Sequence, residues 1–209
     1  MSQRFSSDVL IIGGGAAGLA AALHLATDYR VTLLSKGGTD SASSHWAQGG
    51  IAAVTDSSDS FDSHILDTIK AGSGLCSTPA VQTVIESAPS IIQQLSQWGV
   101  TFDSEHNEYH LAQEGGHSSR RILHIADATG RAITEALTQQ TLDHPNIELF
   151  EDKVAIDLVS NHNSNFSSKS CAGAYVLNKN SGKVEVFQSD YTIIATGGAS
   201  KVYLYTTNP

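Results

Sequence analysis

Cysteine is nearly absent: Cys76 and Cys171 are the only two in 209 residues, far apart and outside any CxxC spacing. That excludes a disulfide-knit secreted scaffold and a multi-cysteine metal centre, and it fits reduced thiols in the cytoplasm. Charge is scarce as well. Charged residues make up 16% of the chain, against roughly a quarter in average globular proteins. Positive charge is the scarcer sign, with 12 Lys and Arg against 21 Asp and Glu, for a net charge of −9 at pH 7 with neutral His. This balance excludes nucleic acid and anionic membrane as partners for the chain as a whole and favours a small-molecule site. No apolar run approaches the ~20 residues that cross a bilayer, and no basic-then-apolar leader precedes the first apolar segment. Asn165-Phe166-Ser167 matches a glycosylation sequon, a chance match without such a leader.

What is present is a glycine turn between a strand and a helix. Asp8 to Ile12 is apolar enough for a strand buried on both faces, and Ala16 to Ala26 is rich in the best helix formers. Between them Gly13, Gly15 and Gly18 take the GxGxxG positions of a dinucleotide-binding βαβ unit. Gly13 allows the tight turn, Gly15 lets backbone approach a pyrophosphate, and Gly18 lets the helix lie close on the strand. The phosphates then meet the positive end of the helix dipole. A second strand is predicted over 30–35, ending in Ser35-Lys36-Gly37-Gly38. NAD folds place an acidic residue here to bind a ribose hydroxyl, and Ser35 with Lys36 departs from that pattern. A serine hydroxyl still serves a ribose, and Lys36 is either a phosphate contact or a solvated loop charge.

The segment from Thr39 to Asp59 is polar and glycine-rich around an apolar island, and it is too long for an ordinary connector. It reads as a functional loop. Helices are predicted at about 60–72, at 79–98 with Pro79 near the start and Gly99 past the end, and at 129–143 with Thr129 as cap. The stretch 100–128 is irregular and dense in His, Glu and Arg. Strands follow at about 146–150, 153–160, 171–179, 183–188 and 191–195, a meander returning to the sheet, with 161–170 as a solvated hairpin loop. The last strand delivers Ala195, Thr196 and Gly197 to the crevice at the strands' carboxyl ends. The chain stops at Asn208-Pro209 with no closing helix, so a fragment is expected.

Taken together, Gly13-Gly14-Gly15-Ala16-Ala17-Gly18, Ser35-Lys36-Gly37, Ala47-Gln48-Gly49-Gly50-Ile51-Ala52 and Ala195-Thr196-Gly197-Gly198 resemble the flavoproteins of the succinate dehydrogenase and fumarate reductase superfamily. Within it, Tyr109 to Ser118, Arg120-Arg121-Ile122-Leu123-His124, Ala126 to Gly130, and Gly198 to Pro209 are most similar to the L-aspartate oxidase family. The resemblance covers almost the whole chain and the N-terminal portion of the family protein. It implies an α/β fold, a Rossmann-like FAD-binding domain over 1–209 with a parallel sheet and a β-meander. A flavin-wrapping loop would span about 37–55 and a helical insertion about 60–128, with the capping and C-terminal helical domains absent. The implied activity is FAD-dependent oxidation of L-aspartate to iminosuccinate in NAD biosynthesis, with oxygen or fumarate as acceptor and quinolinate synthase downstream.

Carried over by residue, the resemblance puts Gly13, Gly14, Gly15, Ala16, Ala17 and Gly18 at the pyrophosphate and Ser35 and Lys36 at the adenosine ribose. Ser43, Ser44, His45, Trp46, Ala47, Gln48, Gly49 and Gly50 would wrap the ribityl chain and isoalloxazine. Val154 and Ala155 would meet the adenine end, and Thr196 and Gly197 the pyrophosphate. Succinate dehydrogenases carry a flavin-linked histidine four residues before the alanine matched by Ala47; here that position is Ser43, which implies noncovalent FAD. Glu114 would favour the α-ammonium of aspartate by a charge-assisted hydrogen bond. The family's general base and most carboxylate ligands are expected beyond Pro209, so the piece alone is expected to be inactive. His110, His117 and His124 have no zinc-site spacing, and no metal is expected. Arg120 and Arg121 are read as ion-pair partners, and Trp46 as a flavin-loop or core residue. The alternatives are a succinate or fumarate type oxidoreductase, a noncatalytic flavin-binding module, and, weakened by the missing acidic residue, an NAD dehydrogenase.

Overall fold

The computed structural model describes residues 3–106, 108–161 and 170–206. Most of the expected 161–170 hairpin loop and the final Thr207-Asn208-Pro209 therefore lie outside the described residues. In chain order β1 (Arg4–Ile12) leads through the glycine turn into α1 (Ala16–Leu25) and β2 (Val31–Leu34). Short helical turns at Thr39–Ser41 and Ser43–Trp46 precede β3 (Ile51–Ala52), α2 (Phe61–Ala71) and α3 (Thr78–Gln97). Then come β4 (Ser104–Glu105), β5 (Glu108–Tyr109), β6 (Leu111–Ala112), β7 (Ile122–Leu123) and α4 (Thr129–Asp143). The chain continues through β8 (Ile147–Phe150), β9 (Lys153–Asn161), β10 (Ser170–Asn178) and β11 (Lys183–Ile194). Contacts divide it into two compact units, Met1–Trp46 with Thr134–Pro209, and Ala47–Ile133.

The first unit is built on a six-stranded sheet in the order β8-β2-β1-β11-β10-β9. The neighbours β8, β2, β1 and β11 run parallel, whereas β10 and β9 continue antiparallel. This is the α/β fold with a mainly parallel sheet and a meander that the sequence predicts. Val9 to Ile12 of β1 are all buried, as a central strand of a parallel sheet requires. The meander differs from expectation in one respect. In place of separate strands at 183–188 and 191–195 there is one continuous β11. Its first half bonds β10 on one side, while β1 pairs on the other side from Val186 to Ile194. Gln188-Ser189-Asp190 is polar but contains no Gly or Pro, so nothing stops the ladder.

One apolar core of this unit joins Leu10, Ile12 and Leu34 to Ala174, Val176 and Phe187. Phe5 stacks on Phe187 at 4.4 Å, and Phe150 packs edge-on against both. A fully buried side chain such as Leu10 or Phe187 contributes about 1.5–3 kcal/mol on burial, and the partly buried Phe5 and Phe150 less. Beside them Lys153 and the buried Glu185 form an ion pair, and the second carboxylate oxygen accepts from Asn178 Nδ2 at 2.8 Å.

In the second unit Ser60 caps α2 by accepting from the Ser63 N–H at 3.2 Å. Helix α3 carries Pro79 in its first turn, and its end is followed by Gly99 at φ +95°. Its Ile85, Ile92 and Leu95 recur on one face and are buried. The irregular stretch contains a hairpin, β4-β5, and a three-stranded antiparallel sheet in the order β3-β7-β6. Thr129 is the first residue of α4, and its Oγ1 accepts from the Ile125 N–H at 3.0 Å, so it fastens the preceding turn. No helix among the described residues is long and apolar enough to cross a membrane.

Candidate functional site

Three strand ends of the first unit converge on a crevice of about 380 Å³. Gly13 N–H donates to the Leu34 carbonyl and Ala195 N–H to the Ile12 carbonyl, each at 2.8 Å, so β1, β2 and β11 stop at one level. Gly13 turns there with φ +126°, and a Cβ on it would lie 2.2 Å from the Ala195 carbonyl oxygen. Gly18 lies beneath, where a Cβ would meet the Gly13 carbonyl oxygen at 1.8 Å. Only a glycine there lets α1 approach β1 this closely.

The crevice is lined by Gly13, Gly14, Gly15, Ala16 and Ala17, by Ser35 and Lys36, by Ser43 and Ser44, by Val154 and Ala155, and by Thr196 and Gly197. Gly18 is buried below the surface. Gly15 holds the N-cap position of α1 in extended conformation without a side-chain cap, and α1 has no acidic residue in its first turn. Ser44 Oγ accepts the Ala16 N–H at 3.2 Å. Among the described residues, the only ionisable side chain in the lining is that of Lys36. A helix N-terminus, glycine backbone and one cation make a cradle suited to a pyrophosphate. Its volume sits at the small end of ligand pockets, enough for the nucleotide part of a larger cofactor. Ser35 is held in place by backbone bonds on both sides, N–H to the Phe150 carbonyl at 2.8 Å and carbonyl from the Lys153 N–H at 2.9 Å. Those bonds bring the β2 end against the start of β9, which carries Val154 and Ala155.

Ser41 and Ala42 line the crevice too. They fall inside the expected 37–55 loop without being among its predicted contacts: Ser41 ends the Thr39–Ser41 turn, its Oγ donating to the Gly38 carbonyl at 2.6 Å, and Ala42 follows. His45 and Trp46 are not in the lining. His45 Nδ1 contacts Thr134 Oγ1 at 3.2 Å, and Trp46 is 67% exposed, so it is not a core residue.

In the second unit Ala47, Gln48, Gly49 and Gly50 are exposed and lead into β3. Gly50 is pressed against β7, where a Cβ would lie 2.2 Å from the Leu123 carbonyl oxygen. Glu114 is exposed on the turn after β6, its Oε1 3.6 Å from where a Cβ on Gly49 would stand. Arg121 is fully buried and is an ion-pair partner, bidentate to Asp59 at 2.7 Å through both bonds and bonded to Asp67 at 2.7 Å. Arg120 instead donates from Nε to the Leu111 carbonyl at 2.9 Å. Asp67 also accepts both the N–H and the hydroxyl of Ser118. These bonds, with Arg121, hold its carboxyl well below the usual range. Asp59 and Asp67 carry no sequence signal as partners of Arg121, because the pairing is long-range.

The model of the FAD binding domain family matches residues 8–209. An L-aspartate oxidase of Pseudomonas aeruginosa is 51% identical over 100% of this chain and 40% of its own length. One of Yersinia pestis is 49% identical with the same coverage, 100% and 40%. Among solved structures, an E. coli quinol fumarate reductase superposes with a TM-score of 0.91 at 30% identity, over 99% of this chain and 35% of that one. The chain thus spans about 40% of the length of the curated relatives it matches.

Proposed function

The chain belongs to the FAD-binding domain family, and from that premise we propose that the crevice takes the adenosine and pyrophosphate part of FAD in an L-aspartate oxidase. The observation that carries the reading is the glycine turn at the head of α1, with backbone N–H groups and no acidic side chain where a pyrophosphate would sit. Ser35 and Lys36 face the ribose, Val154 and Ala155 the adenine end, and Thr196 and Gly197 the pyrophosphate. For His45, Trp46, Ala47, Gln48, Gly49 and Gly50 the proposed place at the ribityl chain and ring rests on the family resemblance. So does the assignment of 1–209 to one FAD-binding domain with a loop at 37–55 and an insertion at 60–128. Bound FAD supplies a two-electron acceptor for the hydride of the substrate Cα. The chain's own part is to orient and to supply charge. In the same reading oxygen or fumarate regenerates the cofactor, and iminosuccinate goes to quinolinate synthase in the cytoplasm. The defining test is anaerobic addition of L-aspartate to the complete flavoprotein, which should bleach the flavin band. A band unchanged by L-aspartate but bleached by succinate would favour the dicarboxylate reading.

Ser43 stands where the resemblance puts a covalently linked histidine, so the flavin is held without a bond to the protein. Trichloroacetic acid precipitation should leave all flavin in the supernatant. A yellow pellet would refute this.

Glu114 is proposed to bind the substrate ammonium, since a carboxylate exposed beside Gly49 can meet a cation that succinate and fumarate lack. Glu114→Gln should lower kcat/KM for L-aspartate roughly ten- to a hundredfold, equivalent to ~1.5–3 kcal/mol, and leave fumarate reduction nearly unchanged. Equal losses in both reactions would assign Glu114 to loop positioning instead.

A further inference from the structure

Two of the histidines that lack a zinc spacing in sequence, His110 and His124, pair in the second unit. His124 Nδ1 lies 3.1 Å from Asp103 Oδ2, and His124 Nε2 lies 3.1 Å from His110 Nδ1. Backbone bonds clamp the three residues. Asp103 N–H donates to the His124 carbonyl and His110 N–H to the Asp103 carbonyl, both at 2.9 Å. Ala126, at φ +46°, turns its N–H onto Asp103 Oδ2 at 2.8 Å. A carboxylate only accepts, so neutral His124 carries its proton on Nδ1 and presents a lone pair at Nε2. His110 therefore donates from Nδ1. What remains is a lone pair on His110 Nε2, at the exposed end of a carboxylate–imidazole–imidazole chain.

Strand register places this chain beside the loop that leads into β3. Leu123 of β7 pairs with Ile51 on one side and Leu111 on the other, so Gly50 and His110 flank His124. Gly50 packs on the Leu123 carbonyl, and Gly49 lies beside Glu114 Oε1. The two glycines thus connect the proposed ammonium ligand to the imidazole pair. A charged group that reaches β6 is Arg120, whose Nε is already bonded to the Leu111 carbonyl.

We propose that His110, positioned by His124 and Asp103, accepts the proton that an ammonium substrate must lose before its Cα is oxidised. This rests on the L-aspartate reading above. In the step one ammonium N–H bond breaks, the electron pair stays on nitrogen as its lone pair, and the proton joins His110 Nε2. The Nδ1 proton of His110 is then shared with His124 Nε2, which brings the positive charge toward the Asp103 carboxylate. Loss of the proton from Nε2 to water resets the chain. Glu114 holds the ammonium, His110 takes its proton, and His124 and Asp103 are positioning residues.

The test combines kinetics with a readout independent of turnover. In the complete flavoprotein His110→Gln should lower kcat for L-aspartate roughly 10²–10³-fold near neutral pH. The deficit should shrink at alkaline pH, where the substrate amine is already neutral, and added imidazole should restore part of the rate. Imidazole ¹⁵N shifts of the wild type should show His124 and His110 both protonated at Nδ1, and Asp103→Asn should abolish that pattern while Asp103→Glu preserves it. Full activity of His110→Gln with an unchanged pH profile would overturn the proton-acceptor role. An Nε2-protonated His124 would overturn the relay. If the wild type fails to oxidise L-aspartate, the functional reading falls and the substrate role falls with it, and the shifts alone then decide whether the relay exists.

Discussion

Gly13→Ala is expected to remove roughly 2–6 kcal/mol of folding stability, a large fraction of the about 5–15 kcal/mol that holds a domain folded. Two independent costs meet at this residue. Its φ of +126° is a conformation that L side chains rarely adopt, with a strain of about 1–3 kcal/mol. The added methyl would also stand 2.2 Å from the Ala195 carbonyl oxygen, which is backbone fixed by a bond from the Ala195 N–H to Ile12. Overpacking against an atom that cannot turn away costs a further ~1–3 kcal/mol. Gly15→Ala is the control. There the Cβ meets Ser44 Oγ at 3.5 Å and Ala42 Cβ at 3.8 Å, ordinary contacts, with no positive φ. That variant should fold normally and lose flavin affinity, because the methyl projects where the pyrophosphate is proposed to lie. Urea unfolding and flavin content of the two purified proteins separate the effects. A Gly13→Ala midpoint equal to the wild type would show that β1 and β11 separate more easily than this geometry allows.

The glycine turn was legible because its chemistry is local: a strand, a turn with fixed glycine positions and a helix leave one signature in a dozen residues. The ends of α3 were legible for the same reason, through Pro79 and Gly99. What the sequence hides is pairing at a distance. Polar Gln188-Ser189-Asp190 reads as a break until β10 and β1 are seen bonding β11 from both sides. His110 and His124 read as unrelated until the β6-β7 register sets them opposite one another. Thr129 has the residue type of a cap, yet its hydroxyl serves the Ile125 N–H before it. Ser41 and Ala42 reach the crevice through turns whose path no periodicity encodes.

Arg121→Met should be as damaging to the second unit as Gly13→Ala is to the first. The guanidinium is fully buried, as is the Asp59 side chain at 1% exposure, while that of Asp67 is 14% exposed. Both carboxylates would keep their charge and lose their counter-ion, a change that typically costs about 3–5 kcal/mol. Lysine is no substitute, because a single ammonium cannot reproduce the fork that bonds two carboxylates and Ser63 Oγ together. The same network makes this unit acid-labile. The folded Asp59 and Asp67 carboxyls titrate below their unfolded value, Asp59 chiefly through Arg121 and Asp67 chiefly through the Ser118 N–H and hydroxyl. Their contribution is therefore complete above the unfolded value near 3.9 and is lost as pH falls toward the folded values. His64 adds to the trend from higher pH. It is buried with no hydrogen-bond partner for Nδ1, and burial, followed by the Arg121 charge, lowers its pKa. A histidine that must stay neutral to fold supports stability fully above about 6.5 and progressively less below it. Urea midpoints should thus fall from pH 7 to pH 5 in the wild type, and again near pH 3–4. Arg121→Met should lower the midpoint most at pH 7, and the deficit should shrink as acid neutralises Asp59, while Asp67 keeps its share of the acid loss through Ser118. Wild-type stability in Arg121→Met at pH 7 would mean that water reaches the two carboxylates, and that the buried fork contributes little to the fold.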